Sequence, residues 1–272
     1  YDLDPLESVH DPRAAVREDA PVVQENPEFT HEHRHPRFTE GTEFVQNVDD
    51  YHSADFGDPE DGLADAAHVH EATYRTPRTV HCNLDRHCCI AEWAGDTLRV
   101  TATMGNRGHA EETLERLFPD CEAEIERPPT AGSSFGGRSI AKLTLEPVAA
   151  VLARETDRPV RLAFDREEEF TAADSRHGTV IDVVAGATDD GDLTTLAIDV
   201  AADTGPYPNG VGHIVLTSCQ NRPVELYDVD NYHFEGVAAF TNNAPAGEYR
   251  GIGVTQVTWA LESHLDELAR QA

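Results

Sequence analysis

Lysine is nearly missing from this 272-residue chain: of its 21 lysine and arginine residues only Lys142 is a lysine. Against them stand 51 acidic residues, and the formal net charge is −30. Such a balance argues against binding nucleic acid through its phosphate backbone, which needs a basic face, and no nucleic-acid partner is expected. Long apolar runs are missing too. None approaches the roughly 18 residues that a membrane-crossing helix needs, so no membrane span is expected. The opening "YDLDPLESVHDP" is acidic where a leader would be basic and then apolar, and no signal or transit segment is read there. Cysteine is sparse and odd in number, five in all, with Cys82, Cys88 and Cys89 crowded together. That pattern is no disulfide framework, and reduced thiols in a cytoplasmic protein are expected.

The acids run along the whole chain and are not gathered into a tail. An arginine-for-lysine, acid-rich surface fits a protein from a salt-loving organism, where concentrated salt screens self-repulsion. The 39% hydrophobic content supports a sizeable core in one large domain or two smaller ones.

Residues 1–62 have little periodicity, six prolines and many acids and histidines. They read as a linker or as an extended arm that needs another surface to lie on, with a helical turn after Asp11 and Pro12. A boundary is expected between Gly57 and Leu63, and residues 63–272 carry regular elements. "HVHEATYRT" alternates as a strand, offering Val69, Ala72 and Tyr74 for burial. "CCIAEWAGDTLRVTAT" reads as two strands joined at Ala94-Gly95-Asp96. "GHAEETLERLF" is a short helix, "AEIER" a strand, and "LEPVAAVLAR" a helix whose Leu145, Val148, Ala149 and Leu152 share a face. "RPVRLAFD" is a strand. "HGTVIDVVAGAT" and "LTTLAIDVAAD" form a long hairpin, "VELYDV" and "FEGVAAFTN" two further strands, and Val254, Val257, Leu261, Leu265 and Leu268 mark a final helix. The expected class is α+β: mixed sheets with long hairpins and packed helices.

Three stretches carry candidate chemistry. The loop "GSSFGGR" is neither of the standard phosphate-binding fingerprints. Gly132, Gly136 and Gly137 let the backbone approach a ligand closely, and Phe135 in their midst suits a flat or metal-held group; a flexible turn is the plain alternative. "TNNAPAGEYRGIGVTQ" sets Arg250 in a shaped loop before the last helix, where a guanidinium can clamp an oxyanion or pair with an acid. "HCNLDRHCC" gathers soft metal ligands but lacks a second pair, so buried small hydrophobes account for its cysteines and a zinc module stays a third alternative. Arg166 and Arg176, near Glu167, Glu168 and His177, are expected to tie loops together through carboxylates. There is no GxSxG, so hydrolase chemistry has little support.

In this order the segments "GSSFGGR", "LEPVAAVLARETDRPVRLAFDREEEF", "SRHG", "TNNAPAGEYRGIGVTQ" and "LESHLDELA" resemble the molybdopterin-binding large subunit of the xanthine dehydrogenase and aldehyde oxidase family. Upstream, "YDLDPLESVHDPRAAV" is similar to the tail of that family's hammerhead-like domain. The resemblance implies that residues 63–272 are the N-terminal half of a molybdopterin-binding domain and residues 1–62 the tail and arm that precede it. It further implies that Gly132, Phe135, Gly136, Gly137 and Arg250 face a molybdenum-bearing pterin, of the cytosine dinucleotide form. Met104 would stand where the family glutamine contacts an oxo ligand. Ser139 and Ile252 would lie at the substrate pocket, where xanthine-oxidising members carry glutamate and phenylalanine; that argues against xanthine. The implied reaction oxidises a C–H bond of a small organic substrate with water-derived oxygen. Iron–sulfur and flavin subunits, and a C-terminal half bearing the family's catalytic glutamate, would complete the enzyme. The competing reading is a truncated or decayed non-catalytic paralogue that retains the fold or a subunit-association role. Met104, Asp85 and the absent half motivate it.

Overall fold

The computed structural model describes residues 4–24, 31–32, 43–44, 46–138, 143–207 and 210–271, arranged as two compact units. The larger takes Tyr1–Thr79, His177–Ala246 and Gly251–Ala272; the smaller takes Val80–Arg176 and Gly247–Arg250.

The larger unit is organised by a five-stranded sheet in the order Val48–Phe56, Tyr232–Phe240, Leu193–Gly205, Gly178–Ala187, His68–Thr76. The hairpin of Gly178–Ala187 and Leu193–Gly205 is antiparallel, with Val183 opposite Ile198. Leu193–Gly205 then pairs in parallel with Tyr232–Phe240, which demands a crossover. The helix Gly212–Leu226 supplies it. That helix overturns the strand expected at "VELYDV": Val224, Glu225 and Leu226 form its last turn. The helix carries Pro223 near its end, four residues before the Tyr227 cap.

One sheet face buries Ile181, Val183, Leu196, Ile198 and Phe234 against Leu216 of helix Gly212–Leu226 and Val257, Leu261 and Leu268 of helix Val254–Gln271. The other buries Ala201, Val237 and Ala239 with Val9, Ala15 and Val16. Both faces are covered, so all ten residues of Gly178–Ala187 are buried, and the one carboxylate among them, Asp182, is paired with Arg13. At the edge strand His68–Thr76 burial alternates, and Val69 points out, 42% exposed, instead of sharing a face with Ala72 and Tyr74. Its odd number puts it on the opposite side of the pleat from those two.

Within the stretch that reads as linker, the turn at Pro12–Ala15 forms as expected, capped by the Asp11 carboxylate. Val48–Phe56 is a nine-residue strand, and Pro59–Ala64 is a short helix capped by Asp58.

The smaller unit has a four-stranded sheet ordered Glu122–Glu126, Thr97–Ala102, Cys88–Ala94, Val160–Ala163. The expected hairpin turns at Gly95, whose φ of 66° favours glycine. Helix Arg107–Leu117, capped by Asn106, crosses to the parallel strand Glu122–Glu126. Helix Glu146–Thr156 takes Pro147 in its first turn and buries Ala149, Ala150 and Ala153, while Val148, Val151 and Leu152 stay exposed. The sequence points to the larger aliphatics as the inward face; the alanines win because this helix lies close on the sheet and their small side chains admit that approach.

Candidate functional site

The glycine loop lies in the smaller unit, and so does the segment 247–250 that carries Arg250. Phe135 sits at φ 52°, Ser133 at φ 107° and Gly136 at φ 114°. Two of these are not glycine, so the loop is a held conformation and not a free turn.

What fills the space that the glycines leave is the chain itself. A Cβ on Gly136 would stand 2.7 Å from the Glu248 carbonyl oxygen, and one on Gly137 2.8 Å from Nδ1 of His81. At Gly132 the obstacle is Asp85, with its Oδ1 at 2.6 Å. The loop is thereby pressed against two segments, 81–87 and 247–250. His81 is buried between them, its ring stacked on Tyr249 at 4.5 Å between centroids, with Nε2 hydrogen-bonded to the Glu248 carbonyl at 2.6 Å. Burial holds the His81 imidazole below its usual pKa, against the raising effect of that hydrogen bond. His87 presents Nε2 to the Gly137 carbonyl at 3.0 Å and Nδ1 to the Glu169 carboxylate at 3.0 Å. Both histidines thus serve the loop. Among the described residues, the groups of three side chains able to share one ion all lie outside "HCNLDRHCC".

Arg138 closes the loop. Its side chain is 2% exposed; it donates to the Asp85 carboxylate at 2.7 Å and to the Asp85 carbonyl at 2.9 Å. The Arg138 carbonyl accepts from the Gly105 amide at 2.7 Å, which brings the neighbour of Met104 to the loop's end. Met104 is half-buried and packs against the core of this unit.

Arg250 is joined to the loop through its main chain. Its amide donates to the Phe135 carbonyl at 2.7 Å, and its own carbonyl accepts from Arg176 at 2.7 Å. Arg176 lies over the Tyr249 ring, 4.2 Å from its centroid. The Arg250 side chain is exposed and, among the described residues, has no ion-pair partner. Phe135 is 46% exposed, and among the described residues the amides of Ser134 and Phe135 donate to no protein group. Unspent amides on a loop hydrogen-bonded to the main chain of an exposed arginine are a donor set for an anionic or oxo-bearing ligand, and they fit a pterin that carries phosphate and a metal-oxo group. A cleft of about 10 Å³ lined by His81, Asn83, His87, Arg166 and Glu169 has room for one water only.

Of the remaining expected positions, Ile252 belongs to the larger unit, half-buried against its core. Ser139 lies outside the described residues. Arg166 donates to the carbonyls of Asn83 and Leu84, at 2.9 and 3.1 Å, and not to a carboxylate as expected: this turn has carbonyls without a ladder partner, and the guanidinium fork spans two of them. Sequence reading missed His87, Glu169 and Tyr249 as loop supports. The signal was present in "REEE" and "EYRG", but as composition it could not be told from solvated charge.

A family model described as molybdopterin cofactor-binding domain matches residues 41–272. The chain is 34% identical to a probable xanthine dehydrogenase subunit of Bacillus subtilis, over 78% of this chain and 28% of that one. It is 31% identical to the probable hypoxanthine oxidase of Escherichia coli K12, over 99% of this chain and 30% of that one. In fold it is similar to the aldehyde oxidoreductase of Desulfovibrio gigas: TM-score 0.81 at 22% identity, covering 99% of this chain and 28% of that one. The chain therefore spans under a third of the length of these relatives.

Proposed function

The chain belongs to the molybdopterin cofactor-binding domain family, related to xanthine dehydrogenase and aldehyde oxidase, and from that premise we propose that it supplies part of the cofactor pocket of a molybdenum-dependent hydroxylase. The observation that carries this reading is the bond from the Arg250 amide to the Phe135 carbonyl. It fastens the main chain of an exposed arginine to a glycine loop with unspent main-chain donors, inside one unit.

In this reading Gly132, Gly136 and Gly137 act indirectly. They let His81, Asp85 and the 248–249 backbone come close enough to fix the loop. The main chain around Phe135 then offers amides to the ligand, Arg250 offers positive charge, and Met104 flanks the loop's far end with a weak acceptor only. A bound molybdenum–pterin group, here read as the cytosine dinucleotide, would supply the two-electron chemistry that oxidises a C–H bond of a small organic substrate with water-derived oxygen. The residues of this chain bind and orient; none of them is assigned proton transfer. Electron transfer to iron–sulfur and flavin subunits, and a further segment completing the pocket, belong to the same proposal. The short coverage of the relatives supports a need for more chain.

Metal and pterin analysis of the assembly purified from its native source tests this. Stoichiometric molybdenum is expected, with a several-fold loss on Arg250→Ala and on Gly136→Val while the assembly stays intact. An intact, fully assembled complex without molybdenum would instead support the non-catalytic paralogue, for which Met104 and Asp85 speak.

A further inference from the structure

Away from the glycine loop, on the larger unit, three metal-ligating side chains meet where the edge strand Val48–Phe56 is covered by helix Gly212–Leu226. Asp50 and His52 are two apart on the strand and so share one face. His213 stands in the first turn of the helix. Nε2 of His52 is 2.9 Å from Nδ1 of His213; the Asp50 Oδ2 is 3.2 Å from that nitrogen and 3.6 Å from His52 Nε2. Zinc held at about 2.0–2.1 Å in a tetrahedron has ligand atoms about 3.3 Å apart along each edge. The three observed separations bracket that edge length.

The surroundings are arranged in keeping with a ligand set. The Asp50 Oδ1 accepts the Tyr51 amide at 2.8 Å, which turns Oδ2 toward the two rings. Gln220 lies seven residues beyond His213, two turns along the same helix face, on the side of the His52 ring. His213 is 67% exposed in its side chain, which leaves a fourth position to water.

We propose that Asp50, His52 and His213 form a zinc site, separate from the pterin-facing loop, that fastens the edge strand of the larger unit to its crossover helix. Two imidazole nitrogens with one carboxylate oxygen suit zinc over magnesium or calcium, which prefer oxygen throughout. The inference does not depend on the proposed molybdenum function and holds equally for a non-catalytic chain.

The test uses the purified chain, stripped of metal and titrated with zinc chloride, and with cobalt chloride as a spectroscopic stand-in, in excess magnesium to occupy the many surface acids. One zinc per chain is expected, with a raised thermal midpoint and a four-coordinate cobalt absorption band. His213→Ala removes an exposed side chain and should fold normally by circular dichroism; it should weaken zinc at least 100-fold, and His52→Ala should do the same. Asp50→Asn should weaken it about tenfold and keep the metal-free midpoint. Failure of the wild-type chain to bind stoichiometric zinc overturns the proposal. So does binding that survives the double change His52→Ala with His213→Ala. Zinc lost only on His233→Ala overturns it as well, because it would move the ion to the group of Asp199, His233 and Glu235.

Discussion

The two units reach order by different means. In the larger, Ile181, Ile198, Phe234, Leu216 and Leu261 form a core of large aliphatic and aromatic side chains on a fully covered sheet. In the smaller, alanines line the helix that packs on the sheet, and the functional loop is fixed by polar contacts of His81, His87, Arg138 and Asp85. Apolar burial is roughly proportional to area and indifferent to direction, so it stabilises without specifying a loop's shape. Hydrogen bonds to buried groups do the opposite: each adds little net stability, but leaving one unmade is costly. A loop that must keep one conformation is thus built from the second kind of contact.

Two tryptophans let this contrast be broken apart experimentally, because Trp93 lies in the smaller unit and Trp259 in the larger. The largest effect is expected at Phe234→Ala, with a loss of about 4 kcal/mol in the urea transition seen by Trp259. Next, Arg138→Ala should cost about 3 kcal/mol in the transition seen by Trp93, since it strands the Asp85 acid and carbonyls beside a buried void. An equal shift of both signals in either variant would mean that the units do not unfold separately.

The acid limb comes third. His264 is fully buried, and burial together with His70 drives its pKa down to about 4. Its folded value lies below its unfolded one, so the stability it confers is full above about pH 6.5 and is lost as pH falls toward 4. The size is on the order of 3 kcal/mol from the unit shift. Asp49 works the other way: burial raises it to about 6, and its contribution fades as pH rises through that value. His264→Gln should flatten the acid limb between pH 6.5 and 4 in the Trp259 signal; an unchanged slope would assign it elsewhere.

The smallest test compares two glycines. Gly136 and Gly95 both have positive φ, but only Gly136 faces protein atoms, the Glu248 carbonyl. Gly136→Ala should cost about 2 kcal/mol and Gly95→Ala about 1. Equal costs would show that the backbone angle alone, and not the close approach, holds the loop.

The same contrast explains what the sequence made legible. Period-two and helical patterns were readable where large apolar residues alternate with polar ones. The hairpin around Gly191, the strands Cys88–Ala94 and Thr97–Ala102, and the final helix emerge as expected. Patterns failed where the signal was small or mixed: the alanine face of Glu146–Thr156, the helix that ends in "VEL", and Val48–Phe56 among acids and prolines. At the site, the ordered motifs pointed to the glycine loop and Arg250, which the fold brings together. Their supports were not legible, because His87, Glu169 and Tyr249 come from separate stretches and meet at the loop only through tertiary folding.

The tie between residue 250 and the loop is made by a main-chain amide, a group that every amino acid except proline supplies. Side-chain exchange at 250 can therefore alter charge, reach and hydrogen bonding toward a ligand while the loop keeps its seat. Electrostatic character at this position is free to drift without a structural penalty, and only a proline would unfasten the two segments.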